Sequence, residues 1–245
     1  MAQIYLVRHG QASFGSQNYD QLSDKGKQQA AALGAWWAAR DMKIARVVTG
    51  SMQRHRETAE ACISALHGLP IDQSPVVEWQ SDAGFNEYHH HEVLARHVPA
   101  FDDPSAVKRF LIDTPNGKQR FQAIFSEAIA RWVSGQFDHD YTETWQDFRS
   151  RCINSLEQQI AQTEANQNVV IFTSGGTISV LCQLLFGFSD EKFAELHWSL
   201  VNAGVTRLHV QTIQSPPRYA RLALGYLNNF AHLEALNQSE MITYV

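Results

Sequence analysis

Apolar residues are distributed along this chain in two rhythms. Residues 4–7, 44–49 and 169–173 are short runs made mainly of β-branched, aromatic and aliphatic side chains, as in strands buried on both faces of a parallel sheet. Residues 76–79 are a shorter run of the same kind. Residues 205–210 and 219–226 alternate apolar with polar positions and should extend the sheet as further strands. Between these runs the spacing is helical. Ser23 is a good N-cap for a helix running to about Arg40, with Ala30, Leu33 and Trp37 on one face. A second helix follows Gly50 and Ser51 and carries Ala59, Ile63 and Leu66; residues 178–186 and 190–197 form two more. A strand-helix-strand-helix start implies a parallel sheet. The expected fold is a single α/β domain over residues 1–245, a three-layer α/β/α sandwich with a mainly parallel sheet.

Residues 92–167 break the rhythm. Pro99, Pro104, Pro115 and Gly117 punctuate loops and helices; Phe121, Phe125, Ile129 and Trp132 mark one amphipathic helix, and Trp145, Phe148, Cys152, Leu156 and Ile160 mark a longer one. No repeat or polar linker sets this stretch apart as an independent domain. It reads as a helical insertion that packs as a cap over the strand edge.

Composition changes the picture mainly by exclusion. A net charge of −5 and a pI near 6.1 give no basic footprint for nucleic acid. No apolar run is long enough to cross a bilayer, so no membrane partner is expected. The chain enters a strand almost at once, which leaves no room for a signal segment and implies a cytoplasmic location. Cys62, Cys152 and Cys182 are odd in number, far apart and set among apolar residues, as core side chains are. The pattern carries no signal for oligomeric state. An anionic ligand would need a local positive pocket.

Such a pocket has candidates. The first strand ends in Arg8, His9 and Gly10, which places a cation, an imidazole and a flexible residue where open α/β sheets bind ligands. Arg54 and Thr58 lie four apart on the second helix, close to the same edge. Residues 174–177, Ser-Gly-Gly-Thr, join a strand to a helix, and free N–H groups at a helix start favour an anion. Glu87 sits in an unusual stretch with His89, His90, His91 and Glu92. A glutamate among aromatic and histidine residues suits a general acid, and a metal site is the alternative. Adjacent side chains on a regular backbone diverge, which counts against the metal.

Together these segments resemble the histidine phosphatase superfamily, which includes the cofactor-dependent phosphoglycerate mutases. Residues 6–10 match its strand-end motif, residues 22–30 its first helix entry, and residues 49–59, with Met52, Arg54 and Thr58, its second motif. Residues 86–87 look like the segment carrying its acid, 170–177 like its late strand turn, and 228–233 like its closing segment. The resemblance implies hydrolysis of a small phosphate monoester through a phosphohistidine intermediate. His9 would be the nucleophile and Glu87 the acid and then base, while Arg8, Arg54, Ser174 and Gly175 bind the phosphoryl group. The implied partner is a phosphorylated small molecule, and no cofactor or metal is implied.

Two positions depart from the family pattern. Ser174 stands where a second histidine is expected, and Gly50 where serine is common. A serine donates a hydrogen bond but carries no charge, so a histidine from elsewhere, such as His89, His90 or His232, is expected to fill the place if it is filled at all. The departure also keeps open a phosphate-binding pseudoenzyme with weak or no turnover. A phosphomutase is less well matched, because residues 88–91 do not reproduce the basic, tyrosine-bearing segment of the mutases.

Overall fold

The computed structural model describes residues 1–13, 20–75, 78–211 and 222–244. In chain order the elements are β1 (Ala2–Arg8), α1 (Asp24–Ala38), β2 (Arg46–Thr49), α2 (Gln53–His67), β3 (Glu78–Ser81), α3 (His90–His97), α4 (Pro104–Asp113) and α5 (Gly117–Val133). They continue with α6 (Trp145–Ala161), β4 (Asn168–Thr173), α7 (Gly175–Phe186), α8 (Asp190–Ser199), β5 (Val205–Val210), β6 (Leu222–Asn229) and α9 (Ala231–Glu234). The strands form one sheet in the order β3-β2-β4-β1-β5-β6. The pairs β1/β4, β2/β4 and β2/β3 are parallel, and β5 and β6 add two antiparallel strands at one edge. The sheet is therefore mixed but mainly parallel.

The period-2 geometry of β1 explains the layers. Tyr5 and Val7 face one side and pack with Ala30, Leu33 and Trp37 of α1 and Ala59, Ile63 and Leu66 of α2. Ile4 and Leu6 face the other, with Cys152 and Leu156 of α6 and Val180 and Leu181 of α7. Every one of these side chains is buried. Ser23 caps α1 as its sequence suggests, its hydroxyl accepting the Gly26 N–H at 3.1 Å. The three cysteines are buried free thiols. Among the described residues no helix is long and apolar enough to cross a membrane.

Three expectations are adjusted. The strand expected at 76–79 is β3 at Glu78–Ser81, an exposed edge strand with Trp79 39% accessible; residues 76–77 lie outside the described residues. The strand expected at 219–226 runs as Leu222–Asn229, with 219–221 outside the described residues. Finally, α6 falls within the stretch assigned to the insertion but belongs to the sandwich. Gln159 of α6 accepts a hydrogen bond from Arg46 of β2 at 2.8 Å, and Cys152 and Leu156 pack on the sheet. Periodicity gives the apolar face of a helix but not the surface that covers it.

Helices α1 and α2 approach closely at Gly34. A Cβ there would lie 2.0 Å from the Cys62 carbonyl oxygen and 2.8 Å from the Ala65 Cβ, so backbone must shift to admit it. Gly34→Ala is expected to destabilise the fold by about 1–3 kcal/mol despite alanine's better helix propensity. Urea unfolding checks this, and an unchanged or raised midpoint contradicts the packing argument.

Candidate active site

The site forms where β1, β2 and β4 end together. Arg8 is the last residue of β1, its register partner in β4 is Thr173, and the His9 N–H donates to the Thr173 carbonyl at 2.8 Å. The His9 carbonyl in turn accepts from Asn202 Nδ2 at 3.2 Å. Gly10 then turns the chain against the first turn of α1. A Cβ on it would lie 2.4 Å from the Gly26 carbonyl oxygen, so this close crossing requires glycine. The Gly10 N–H donates to Thr58 Oγ1 at 3.1 Å, and Thr58 Oγ1 donates to the Arg54 carbonyl at 2.6 Å. Thr58 thus ties the strand end to the helix turn that carries Arg54.

The tautomer of His9 follows from its partner. Nδ1 lies 2.8 Å from the Gly10 carbonyl oxygen, which can only accept, so Nδ1 carries the proton and Nε2 keeps a lone pair. Burial, then the adjacent Arg54 and Arg8 guanidinium groups and His55, hold the His9 pKa well below the ordinary histidine value. The ring is neutral at pH 7. Arg8 donates to the Leu200 carbonyl, and Arg54 pairs with Asp20 at 2.7 Å. Both guanidinium groups line, with His9, a cavity of about 580 Å3.

Glu87 lines the same cavity. Its Oε2 accepts the Gly176 N–H at 3.1 Å, so a helix-start N–H expected to be free for an anion is engaged by the acid. A Cβ at position 176 would lie 2.1 Å from Glu87 Oε1. The segment behind Glu87 is held by Arg151 of α6, which donates to the carbonyls of Gly84, Asn86 and Glu87, and by Thr173 Oγ1, which donates to the Phe85 carbonyl at 2.6 Å. On the other side Tyr88 stacks on Trp132 with ring centroids 5.0 Å apart.

Of the residues singled out from sequence, Arg8, His9, Arg54 and Glu87 meet in the cavity, whereas Ser174 and Gly175 are fully covered and lie outside its lining. Ser174 Oγ is instead 2.6 Å from Nε2 of His55, and a Cβ on Gly175 would lie 3.2 Å from Nδ1 of His197. Of the three candidates named to fill the place of the second histidine, one lines the cavity and two do not. His89 is exposed, His232 sits in α9 away from the cavity, and His90 lines the cavity near Glu87 and Arg54. His91 lies 3.1 Å from the Asp102 carbonyl, so the three consecutive histidines diverge; among the described residues no group of three His, Cys, Asp or Glu is arranged to hold a metal.

Sequence reasoning missed His55, His197, Asn202 and Asp20. It also missed the tail, where Thr243 and Tyr244 line the cavity and Gln29 Nε2 donates to Thr243 Oγ1 at 2.8 Å. From the stretch before α6, Leu111, Lys118, Phe121, Gln122 and Phe125 line the cavity, and Trp198 joins them from α8.

Comparison with known proteins identifies the family. A family model described as the histidine phosphatase superfamily, branch 1, matches residues 4–108 and 113–216. The chain belongs to the histidine phosphatase superfamily. A relative from Hydrogenobacter thermophilus, named as a candidate phosphoserine phosphatase, is 25% identical over 247 residues, covering 96% of this chain and 100% of that one. Among solved structures of this fold, a mycobacterial glucosyl-3-phosphoglycerate phosphatase matches with a TM-score of 0.57 at 18% identity, over 92% of this chain and 98% of that one. A phosphoglycerate mutase from Bacillus anthracis matches with a TM-score of 0.60 at 16% identity, over 97% of each chain. A phosphoserine phosphatase from Entamoeba histolytica matches with a TM-score of 0.59 at 16% identity, over 95% of this chain and 100% of that one. These solved structures share the fold described above.

The buried histidines make stability depend on pH. Burial lowers the pKa of His90 and His232 to about 4 and, together with Arg8, that of His197 to about 3, while His9 and His55 are also held well below 6.5. As pH falls below about 6.5 the unfolded chain takes up protons at these residues and the folded chain does not, so folding stability falls with them. The urea midpoint is therefore expected to drop between pH 7.5 and pH 5, and the drop is expected to shrink in His232→Gln, which lies away from the cavity. A midpoint independent of pH across that range contradicts the assignment.

Proposed function

We propose that this chain hydrolyses a small phosphate monoester through a phosphohistidine formed on His9. The observation that carries the reading is the neutral His9 with its proton at Nδ1, beside two buried guanidinium groups and a carboxylate in one cavity. A phosphate monoester is close to a dianion, so its attack by a nucleophile needs neutralisation, in-line geometry and a proton for the departing alkoxide. Arg8 and Arg54 supply the neutralisation at the non-bridging oxygens.

The His9 Nε2 lone pair forms the N–P bond as the P–O ester bond breaks, and the leaving oxygen takes the Glu87 proton. Water then attacks phosphorus, Glu87 takes its proton, the N–P bond breaks, and inorganic phosphate leaves with His9 neutral again. The Gly176 N–H on Glu87 and the Arg151 contacts to its segment support this role. Residues 92–133 supply the substrate-facing wall in this reading, because Phe121, Phe125 and Lys118 line the cavity beyond the phosphate site. The names of the relatives support a small phosphorylated alcohol as substrate, and the charge at the site comes from side chains, so no metal is needed for neutralisation.

Rapid quenching during turnover of 4-nitrophenyl phosphate is expected to trap acid-labile, base-stable phosphate on His9. His9→Ala is expected to abolish both the trapped phosphate and turnover. Glu87→Gln is expected to lower turnover of alkyl phosphates by roughly 10²–10⁴-fold, and less for 4-nitrophenyl phosphate, whose leaving group needs little protonation. A chelator is expected to leave the rate unchanged. Turnover that survives in His9→Ala, or that is lost on chelation and restored by a divalent ion, overturns this mechanism.

A further inference from the structure

Among the described residues, His55 is the imidazole that meets the Ser174 hydroxyl. It is fully buried, its Nε2 lies 2.6 Å from Ser174 Oγ, and its ring centroid is 5.7 Å from that of His9, tilted by 34°. It comes from the first turn of α2, not from the end of β4. On its far side the ring is admitted by Gly50, where a Cβ would lie 2.2 Å from His55 Nδ1. Two small residues, Gly50 and Ser174, thus flank this ring.

We propose that His55 is a positioning residue for the phosphoryl site, supplying from α2 the imidazole that β4 does not carry and acting through the Ser174 hydroxyl. The inference rests on the phosphatase reading. Nδ1 of His55 is buried with no hydrogen-bond partner. A proton on that atom would be an orphaned donor, rarer in folded proteins than an orphaned acceptor, so the proton belongs on Nε2. Nε2–H then donates to Ser174 Oγ. That bond ties the start of α2 to the end of β4 behind the cavity wall, since Ser174 is covered and does not line the cavity. Ser174 directly follows Thr173, whose carbonyl holds the His9 N–H, so the hydroxyl is fixed relative to the nucleophile. Arg54 beside His55, together with burial, keeps the ring uncharged.

The geometry leaves space for one imidazole between Gly50 and Ser174, whichever element it comes from. His55→Ala and Ser174→His are each expected to lower kcat/KM for 4-nitrophenyl phosphate by roughly tenfold or more, the first by removing the ring and the second by crowding it. Their combination, His55→Ala with Ser174→His, is expected to recover most of the loss, because one imidazole again occupies the space. Gly50→Ser gives a route that opens no cavity. It should push the His55 ring aside and match the loss of His55→Ala. Inorganic phosphate binding by calorimetry, run on the same folded variants, should follow the same order.

Unimpaired activity in His55→Ala, or losses in the paired variant that multiply those of the single ones, overturns the proposal. A ring that only filled space in the fold would show in the thermal midpoint but would not restore kcat/KM from position 174. The two readings fail separately. Absence of His9-dependent turnover in the wild type rejects the phosphatase reading, while the phosphate-binding series still decides the role of His55.

Discussion

The site depends on keeping one imidazole neutral, with its proton on a fixed nitrogen, against two guanidinium groups. Three features combine at His9 to do this. Burial removes the water that would stabilise an imidazolium, Arg8 and Arg54 repel one, and the Gly10 carbonyl accepts the Nδ1 proton at 2.8 Å. Each would be lost if the backbone after β1 moved. That backbone is held by the His9 N–H on Thr173, the Gly10 N–H on Thr58, and contact with Gly26 too close for any side chain. The parallel pairing of β1 with β4 and the docking of α2 are therefore conditions on the protonation state of one side chain.

Buried cations elsewhere in the chain show the contrast. Arg46 of β2 is as buried as Arg54, but it is bonded to Gln159 and Gln162 and paired with Glu78, so its charge is consumed by the fold. Arg151 spends its guanidinium on three backbone carbonyls and Glu143, and so fixes the segment carrying Glu87. Arg8 and Arg54 also have protein partners, yet they line the cavity and face the space beside His9. A dianionic group there gains from charge that the fold has already desolvated.

The layers were legible because β1 and β4 are continuous apolar runs, and the edge that carries the candidate site because Arg8 and His9 interrupt the first of them. Helical periodicity marked the apolar faces of α1 and α2 that pack on the sheet. The role of α6 was not legible. Its stripe from Trp145 to Ile160 is equally compatible with a cap and with the sheet, and only the contacts with Arg46 and the β4 face decide it. Nor was His55 singled out. Flanked by Arg54 and Arg56 it reads as part of a basic turn, but 100° per residue separates neighbours on a helix, so His55 turns inward while Arg56 is exposed. His197, Asn202 and Thr243 reach the cavity from segments that carry no local motif. The signal present for His55 was indirect: Gly50 and Ser174 are both small.

That signal has a general physical basis. An active site at the ends of parallel strands is built from side chains that converge on one volume from several elements, so the volume and its polar contacts are constrained more tightly than the backbone that supplies them. An imidazole brought in from the start of α2, rather than carried at the end of β4, requires a small residue at the strand end and clearance beside the ring. Serine at 174 is that small residue, and its hydroxyl also takes up the His55 Nε2 that would otherwise lack a partner. Glycine at 50 provides the clearance. Read one at a time, these three residues are two lost contacts and a stray histidine. Read as one packed unit, they are a hydrogen-bonded His55–Ser174 pair beside His9 with its clearance at Gly50, and the charge next to His9 is left to Arg8 and Arg54.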